Sequence, residues 1–309
     1  MTPVYFWRYT LKSATGLNSA SVRRDHEGAL IRHGEGYGCL HPWPELGDAS
    51  LEEQLRALAR GQFDFSPLSL GAMECARFDG EARREGRSLF AAPVPESHWL
   101  VREGDDPGFA KSDGFELAKI KGTRDLKRVG EEIDRWSGAG LRIRLDFNEC
   151  LPKGGFLEFW KELGDERRRQ IEVVEDPEVW NEEGWMGLRE ADIPIAVDRD
   201  HTSRLRLGDV LVYKPAHFGF ACNRETRFYV TSYMDHAIGQ AWAAAFASIA
   251  SQGGLNDKLL PCGLLTHRCF ETDAFFERLR CDGPRLRPPG GTGLGFDDLL
   301  EALPWKRLT

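Results

Sequence analysis

The chain has no C-x-x-C pair, and its seven cysteines (39, 75, 150, 222, 262, 269 and 281) are odd in number and irregularly spaced. That pattern argues against a disulfide framework and for reduced thiols, so a cytoplasmic location is expected. No His or Cys pair has the spacing of zinc ligands, which sets a structural zinc aside. Basic charge is in short supply: 41 Lys and Arg face 49 Asp and Glu, for a net charge of −8. Nucleic acid is therefore not an expected partner, because phosphate binding needs a basic surface. Long apolar runs are also missing. The longest, AWAAAFASIA at 241–250, is too short to cross a bilayer, so no membrane partner is expected. The opening MTPVYFWRYTLKS alternates like a strand and lacks the basic start, apolar core and cleavage site of a secretory signal. The Gly-rich GGTGLGF at 290–296 does not follow a strand and open a helix, so it does not read as a nucleotide loop.

What is present is an ordinary globular composition, 41% hydrophobic and 29% charged over 309 residues, enough for a barrel and a smaller second unit. YFWRYTLKS and ALIRHGEGYGCL alternate as antiparallel strands with Gly-rich turns. SLEEQLRALARG reads as a short helix, with Ser50 and Glu53 forming a capping box and Gly61 beyond its end. SPLSLGAMECARFDGEARREG at 66–86 has helical periodicity. Residues 1–93 are thus expected to form an α+β unit, completed by a C-terminal segment, 282–309. From residue 94 to 281 the pattern changes. Eight strand candidates, SHWLV, AKIK, LRIRLDF, IEVVED, IPIAVD, VLVYKP, RFYVTS and LPCGLL, alternate with helical stretches such as RDLKRVGEEIDRWS and GGFLEFWKELG. That alternation predicts an α/β fold, a (β/α) barrel.

Barrel strands carry chemistry at their C-terminal ends. There the sequence places Lys119 and Lys121 in AKIKG, Asp146 in RIRLDFNE, Glu175 in IEVVEDP, Asp198 in IPIAVDRD and Lys214 in VLVYKPA. Side chains two apart on a strand share a face, so Lys119 and Lys121 both point into the barrel mouth, and Arg144, Asp146 and Asn148 share the next face. Adjacent ammonium groups disfavour each other's charge, so at least one lysine pKa should fall, making a usable general base. Three carboxylates at successive strand ends are hard oxygen donors for a divalent cation. Each has a plainer reading as a helix cap or turn, and K-x-K as a surface pair. Lys214 could serve Schiff-base chemistry or simply pair with Asp198 or Glu175. His217 and His236 fall just past strand ends; for each a surface role is the simpler reading.

These motifs in this order resemble the enolase superfamily, and within it the o-succinylbenzoate synthase group. The likeness runs through GYG–HPWPELGDASLEEQL, K-x-K, D-x-N, E-D-P, A-V-D, Y-K-P and TSYMDHAIG, over nearly the whole chain. It implies a modified TIM barrel with an α+β capping domain, and syn dehydration of a small carboxylate substrate through an ene-diolate. By the same resemblance Asp146, Glu175 and Asp198 are Mg²⁺ ligands, with Mn²⁺ as a substitute, and Lys121 is the base and then the acid. Lys119 would tune it and contact the substrate, Lys214 would face the intermediate from the other side, and Asn148 and Arg144 would support the ligands. Thr231, Ser232 and Asp235 would meet the substrate's distal end, and a loop near 16–21 would close over the mouth. N-acylamino-acid racemisation or dipeptide epimerisation would use the same groups. Arg199, Cys39 and His236 depart from the family's usual residues, and His236 is expected to alter the substrate pocket.

Overall fold

The structure is a computed structural model that describes residues 2–17, 22–199, 201–218 and 226–309. It opens with three antiparallel strands, β1 (Val4–Lys12), β2 (Asp25–His33) and β3 (Gly36–Leu40). Helix α1 (Leu51–Ala59) follows, and the capping box read from Ser50 and Glu53 is formed at its start. Helix α2 (Pro67–Arg84) packs across β3, with Ser66 as its cap and Pro67 in its first turn. The G-Y-G segment explains that closeness. A Cβ on Gly36 or Gly38 would lie 1.7 Å from the Ala76 carbonyl oxygen or 2.0 Å from that of Ala72, so only glycine lets the helix in.

The parallel sheet comes next, with its helices. In chain order the elements are β4 (Trp99–Leu100), α3 (Pro107–Ser112), β5 (Leu117–Lys121), α4 (Leu126–Gly138), β6 (Arg142–Asp146), α5 (Gly155–Glu162), α6 (Gly164–Gln170), β7 (Ile171–Glu175), α7 (Glu182–Glu190), β8 (Ile195–Val197), α8 (His201–Arg204), β9 (Val210–Tyr213), α9 (Pro215–Phe218), β10 (Arg227–Val230) and α10 (Ala237–Gln252). Seven strands, β4 through β10, pair in sequence order, each parallel to the next. Between β9 and β10 the described residues form the four-residue α9.

The eighth expected strand, LPCGLL, is not a regular strand. Its residues make isolated parallel bridges instead: Cys262 with Ser97 on one side, Gly263 with Thr231 on the other. Pro261 has no N–H to give a ladder, which accounts for the interruption. The segment still closes the ring, because the His98 N–H donates to Cys262 O and the Gly263 N–H donates to Val230 O, both at 2.8 Å. The tail forms β11 (Cys281–Asp282), β12 (Arg285–Leu286), α11 (Asp297–Glu301) and β13 (Lys306–Arg307), and β13 pairs with β1 in the antiparallel sheet.

Two packed regions result. The inward residues Val173, Ala196, Val210, Val212 and Tyr229 fill the barrel as a small cluster of their own. The larger core lies between strands and outer helices, where α10 buries nearly every side chain. No helix among the described residues is long and apolar enough to cross a membrane.

Candidate active site

Sheet register assembles the site. Lys121 pairs with Asp146 across β5 and β6, Asp146 with Glu175 across β6 and β7, and Glu175 with Ala196 across β7 and β8. Asp198 lies two residues beyond Ala196, on the same face by strand alternation. One cavity of about 690 Å³, its open mouth included, is lined by Lys119, Lys121, Asp146, Asn148, Glu175, Asp198, Lys214, Thr231 and Ser232. Nine of the eleven residues singled out from sequence therefore meet in one place.

The lysines have different surroundings. Lys119 is buried, and its Nζ lies 2.8 Å from Asp146 Oδ2 and 2.6 Å from Glu175 Oε2. Burial works against its charge, but the two carboxylates outweigh that and push its pKa up. Lys121 goes the other way. Burial, more than its neighbour Lys119, pulls its pKa below the ordinary lysine value, and its ammonium donates to the Leu17 carbonyl. The expected fall in one lysine pKa is present, with desolvation as the main cause instead of ammonium–ammonium repulsion. Lys214 sits 2.5 Å from Asp198 Oδ2. Burial would raise the Asp198 pKa, but Lys214 above all holds it below the usual range. Glu175 is raised, first by burial and then by the Asp146 charge.

Among the described residues no three carboxylate, His or Cys side chains form a compact metal-ligand cluster. The carboxylates are instead held by ammonium groups, Lys119 between Asp146 and Glu175, and Lys214 against Asp198. Their donor chemistry, hard oxygens on successive strand ends, is of the kind that takes a hard divalent ion. Asp176 adds a buried oxygen, Oδ2, that accepts no hydrogen bond.

The supporting residues are placed as follows. Asn148 donates from Nδ2 to Asp146 Oδ1 at 2.9 Å and accepts from Arg199 at 3.3 Å. Arg199 also lies 3.8 Å from Asp176. Arg144 is not at the cavity. It is fully buried one layer below, bonded to Glu172, His98 and the Pro261 carbonyl.

Two expectations need correction. Asp235 does not line the cavity. It is buried, with its carboxylate against Gly239 of α10, where a Cβ would meet Oδ2 at 1.9 Å. Beyond β10 the chain turns at Met234, at φ 53°, and the substrate contact that the resemblance implied for Asp235 is not made. His236 is neither at the surface nor in the pocket. It caps α10 and packs on Tyr9, with ring centroids 4.6 Å apart, and on Phe275. Of the expected loop at 16–21, residues 18–21 lie outside the described residues.

The sequence reading missed Trp43, Leu46 and His98, which line the cavity along with Tyr233 and Met234 of the 231–235 segment. Trp43 and Leu46 belong to HPWPELGDAS, between β3 and α1. Trp43 Nε1 donates to the Tyr233 carbonyl at 2.9 Å, and Tyr233 Oη donates to Asp48 at 2.9 Å. These contacts join the antiparallel unit to the barrel rim. No local pattern marks them, because the partners lie far apart in sequence.

Residues 4–82 match the family model described as O-succinylbenzoate synthase, N-terminal domain. The chain is 34% identical, over 332 aligned positions, to an o-succinylbenzoate synthase from Bdellovibrio bacteriovorus, covering 100% of this chain and 99% of that protein. Among solved structures, a dipeptide epimerase from Cytophaga hutchinsonii complexed with Mg and a dipeptide is similar, with a TM-score of 0.73 at 18% identity, covering 100% of this chain and 99% of that one. So is an enolase-superfamily member from Roseovarius nubinhibens complexed with magnesium, with a TM-score of 0.71 at 16% identity, covering 100% and 98%. At such identities the structural likeness shows the fold alone.

Proposed function

Since the chain belongs to the o-succinylbenzoate synthase family of the enolase superfamily, we propose that it dehydrates succinyl-hydroxycyclohexadiene-carboxylate to o-succinylbenzoate, a menaquinone precursor, in the cytoplasm. The observation that carries the reading is the convergence of three lysines and three carboxylates, from consecutive strand ends, on one cavity. The barrel over 94–281 would hold the chemistry, and the α+β unit of 1–93 with 282–309 would cap it.

Asp146, Glu175 and Asp198 would hold Mg²⁺, with Mn²⁺ as a substitute, and the buried Oδ2 of Asp176 fits the need for positive charge there. Once bound, the ion supplies Lewis-acid stabilisation of charge growing on the substrate carboxylate. Lys121 takes the α-proton; its burial favours the neutral amine that this step requires. The same Nζ, now protonated, returns that proton to the departing β-hydroxyl on the same face, and the ring becomes aromatic as water leaves. Lys214 keeps its ammonium over the opposite face. Lys119 stays charged, fixes two carboxylates and meets the substrate carboxylate. Thr231 and Ser232 border the space for the distal arm, with Trp43 and Tyr233 beside them.

The test is loss of the cyclohexadiene ultraviolet absorbance with Mg²⁺ present. Lys121→Ala is expected to lower kcat by about 10²–10⁴-fold or more, since a positioned general base contributes that much. Calorimetric Mg²⁺ binding should persist. Near-parental turnover in that variant would end the assignment of Lys121.

One observation favours a second reading. Lys121 and Lys214 border the same cavity from separate strands, the arrangement two-base racemisation of an N-acylamino acid or epimerisation of a dipeptide would use. Solvent deuterium incorporation into N-succinylamino acids, without dehydration of the cyclohexadiene, would select it.

A further inference from the structure

Beneath the cavity lies a buried polar column that no strand-end motif reveals. Tyr229, on β10, is fully buried and points into the barrel among Val173, Ala196, Val210 and Val212. Its hydroxyl donates to Glu175 Oε2 at 2.6 Å, the same oxygen that takes the Lys119 ammonium at 2.6 Å. The Arg144 guanidinium lies over the Tyr229 ring, its Cζ 3.9 Å from the centroid. Arg144 is itself held on three sides: Nε on Glu172 at 2.6 Å, and Nη1 on the Pro261 carbonyl at 2.7 Å and on His98 Nδ1 at 3.2 Å. The register slip between Ile143 and Arg144 leaves Glu172 out of the ladder, within reach of Arg144.

We propose that Tyr229, seated on Arg144, is a positioning residue that fixes the carboxylate of Glu175 for cation binding. The inference rests on the reading of Glu175 as a metal ligand. A carboxylate on a strand end can rotate about its last torsion, and a free rotor loses conformational freedom when it ligates, at an entropic cost. Here two donors, a phenol and an ammonium, converge on Oε2 and stop that rotation. Among the described residues no hydrogen bond goes to Oε1, so that oxygen is left to a cation. A fully buried phenol among apolar residues needs an acceptor, and Glu175 supplies it. The Arg144 plane beneath the ring prevents the phenol from tipping away, and Arg suits this task better than Lys because its guanidinium is flat and stacks.

The experiment is Mg²⁺ titration calorimetry on the full-length protein, with Tyr229→Phe and Glu175→Gln beside the parent. The phenylalanine keeps the ring, the packing and the Arg144 stack and removes only the donor. Tyr229→Phe is expected to weaken Mg²⁺ binding by about 10–100-fold, the usual effect of losing a partner of a metal ligand. At saturating Mg²⁺ its kcat should return to within about twofold of the parent, a rescue that general loosening of the barrel would not give. Circular dichroism and a thermal melt confirm folding, and Arg144→Lys, which loses the flat stack, should weaken Mg²⁺ in the same direction. If Glu175→Gln loses binding while Tyr229→Phe matches the parent, the positioning role is overturned and the metal reading stands. If Glu175→Gln also binds as the parent does, or the parent binds no Mg²⁺, the metal reading falls and takes this inference with it.

Discussion

Asp235 shows what a single residue's surroundings decide. The family resemblance implied a substrate contact for it, yet it is buried away from the cavity and burial pushes its carboxyl up to about 7. A carboxyl raised above its unfolded value of about 3.9 costs stability when ionised. The cost is absent at acid pH, grows from about pH 4 to about pH 7 and is constant above that. Asp235→Asn is therefore expected to gain Tm relative to the parent as pH rises through that window, with KM unchanged. A KM raised about tenfold, the 1.4 kcal/mol of a lost contact, would return Asp235 to the substrate pocket. The six charged groups of the site were legible because strands alternate. Lys119, Lys121, Asp146, Glu175, Asp198 and Lys214 needed only a strand end and a face. Asp235 and Asn148 lie beyond that rule: Met234 and Asn148 have φ of 53° and 46°, and the chain turns. Asn148 still reaches the cavity because it bonds Asp146.

At the scale of elements, capping residues and glycines carried clear signals. The capping box read at Ser50 and Glu53 stands at the start of α1, and the helical segment read from residue 66 begins there, with Ser66 as the cap of α2. The eighth strand was not so readable: LPCGLL has a strand's hydrophobicity, but Pro261 breaks its ladder and long-range bridges hold it. G-Y-G could be read as a turn; its reason is the helix lying on it. At Gly38 an added methyl meets the Ala72 backbone, which cannot swing aside as a side chain would. Gly38→Ala is expected to destabilise the protein by about 1–3 kcal/mol or more, read as a lower denaturation midpoint. An unchanged midpoint would mean that α2 does not lie so tightly on β3.

For the whole molecule, the question is how charge and folding are linked. Asp146, Glu175, Asp176 and Asp198 are all buried within one rim. Burying that much like charge works against the folded state, and burial together with neighbouring carboxylates raises both Glu175 and Asp176. A cation bound only by the folded chain adds stability, about 2.7 kcal/mol at a hundred times Kd. Mg²⁺ is expected to raise Tm in a concentration-dependent way and chelator to reverse it. Identical melts with and without Mg²⁺ would argue against the metal reading.

The pairing of β13 with β1 joins residues some three hundred positions apart, Arg307 against Tyr5 and Lys306 against Phe6. On a ribosome, β1 emerges about three hundred residues ahead of β13. Until β13 follows, that flank of β1 offers unpaired amides and carbonyls to any passing extended chain. Arg8, exposed on β1, and the basic pair on β13 are the sort of charged residues that discourage such encounters.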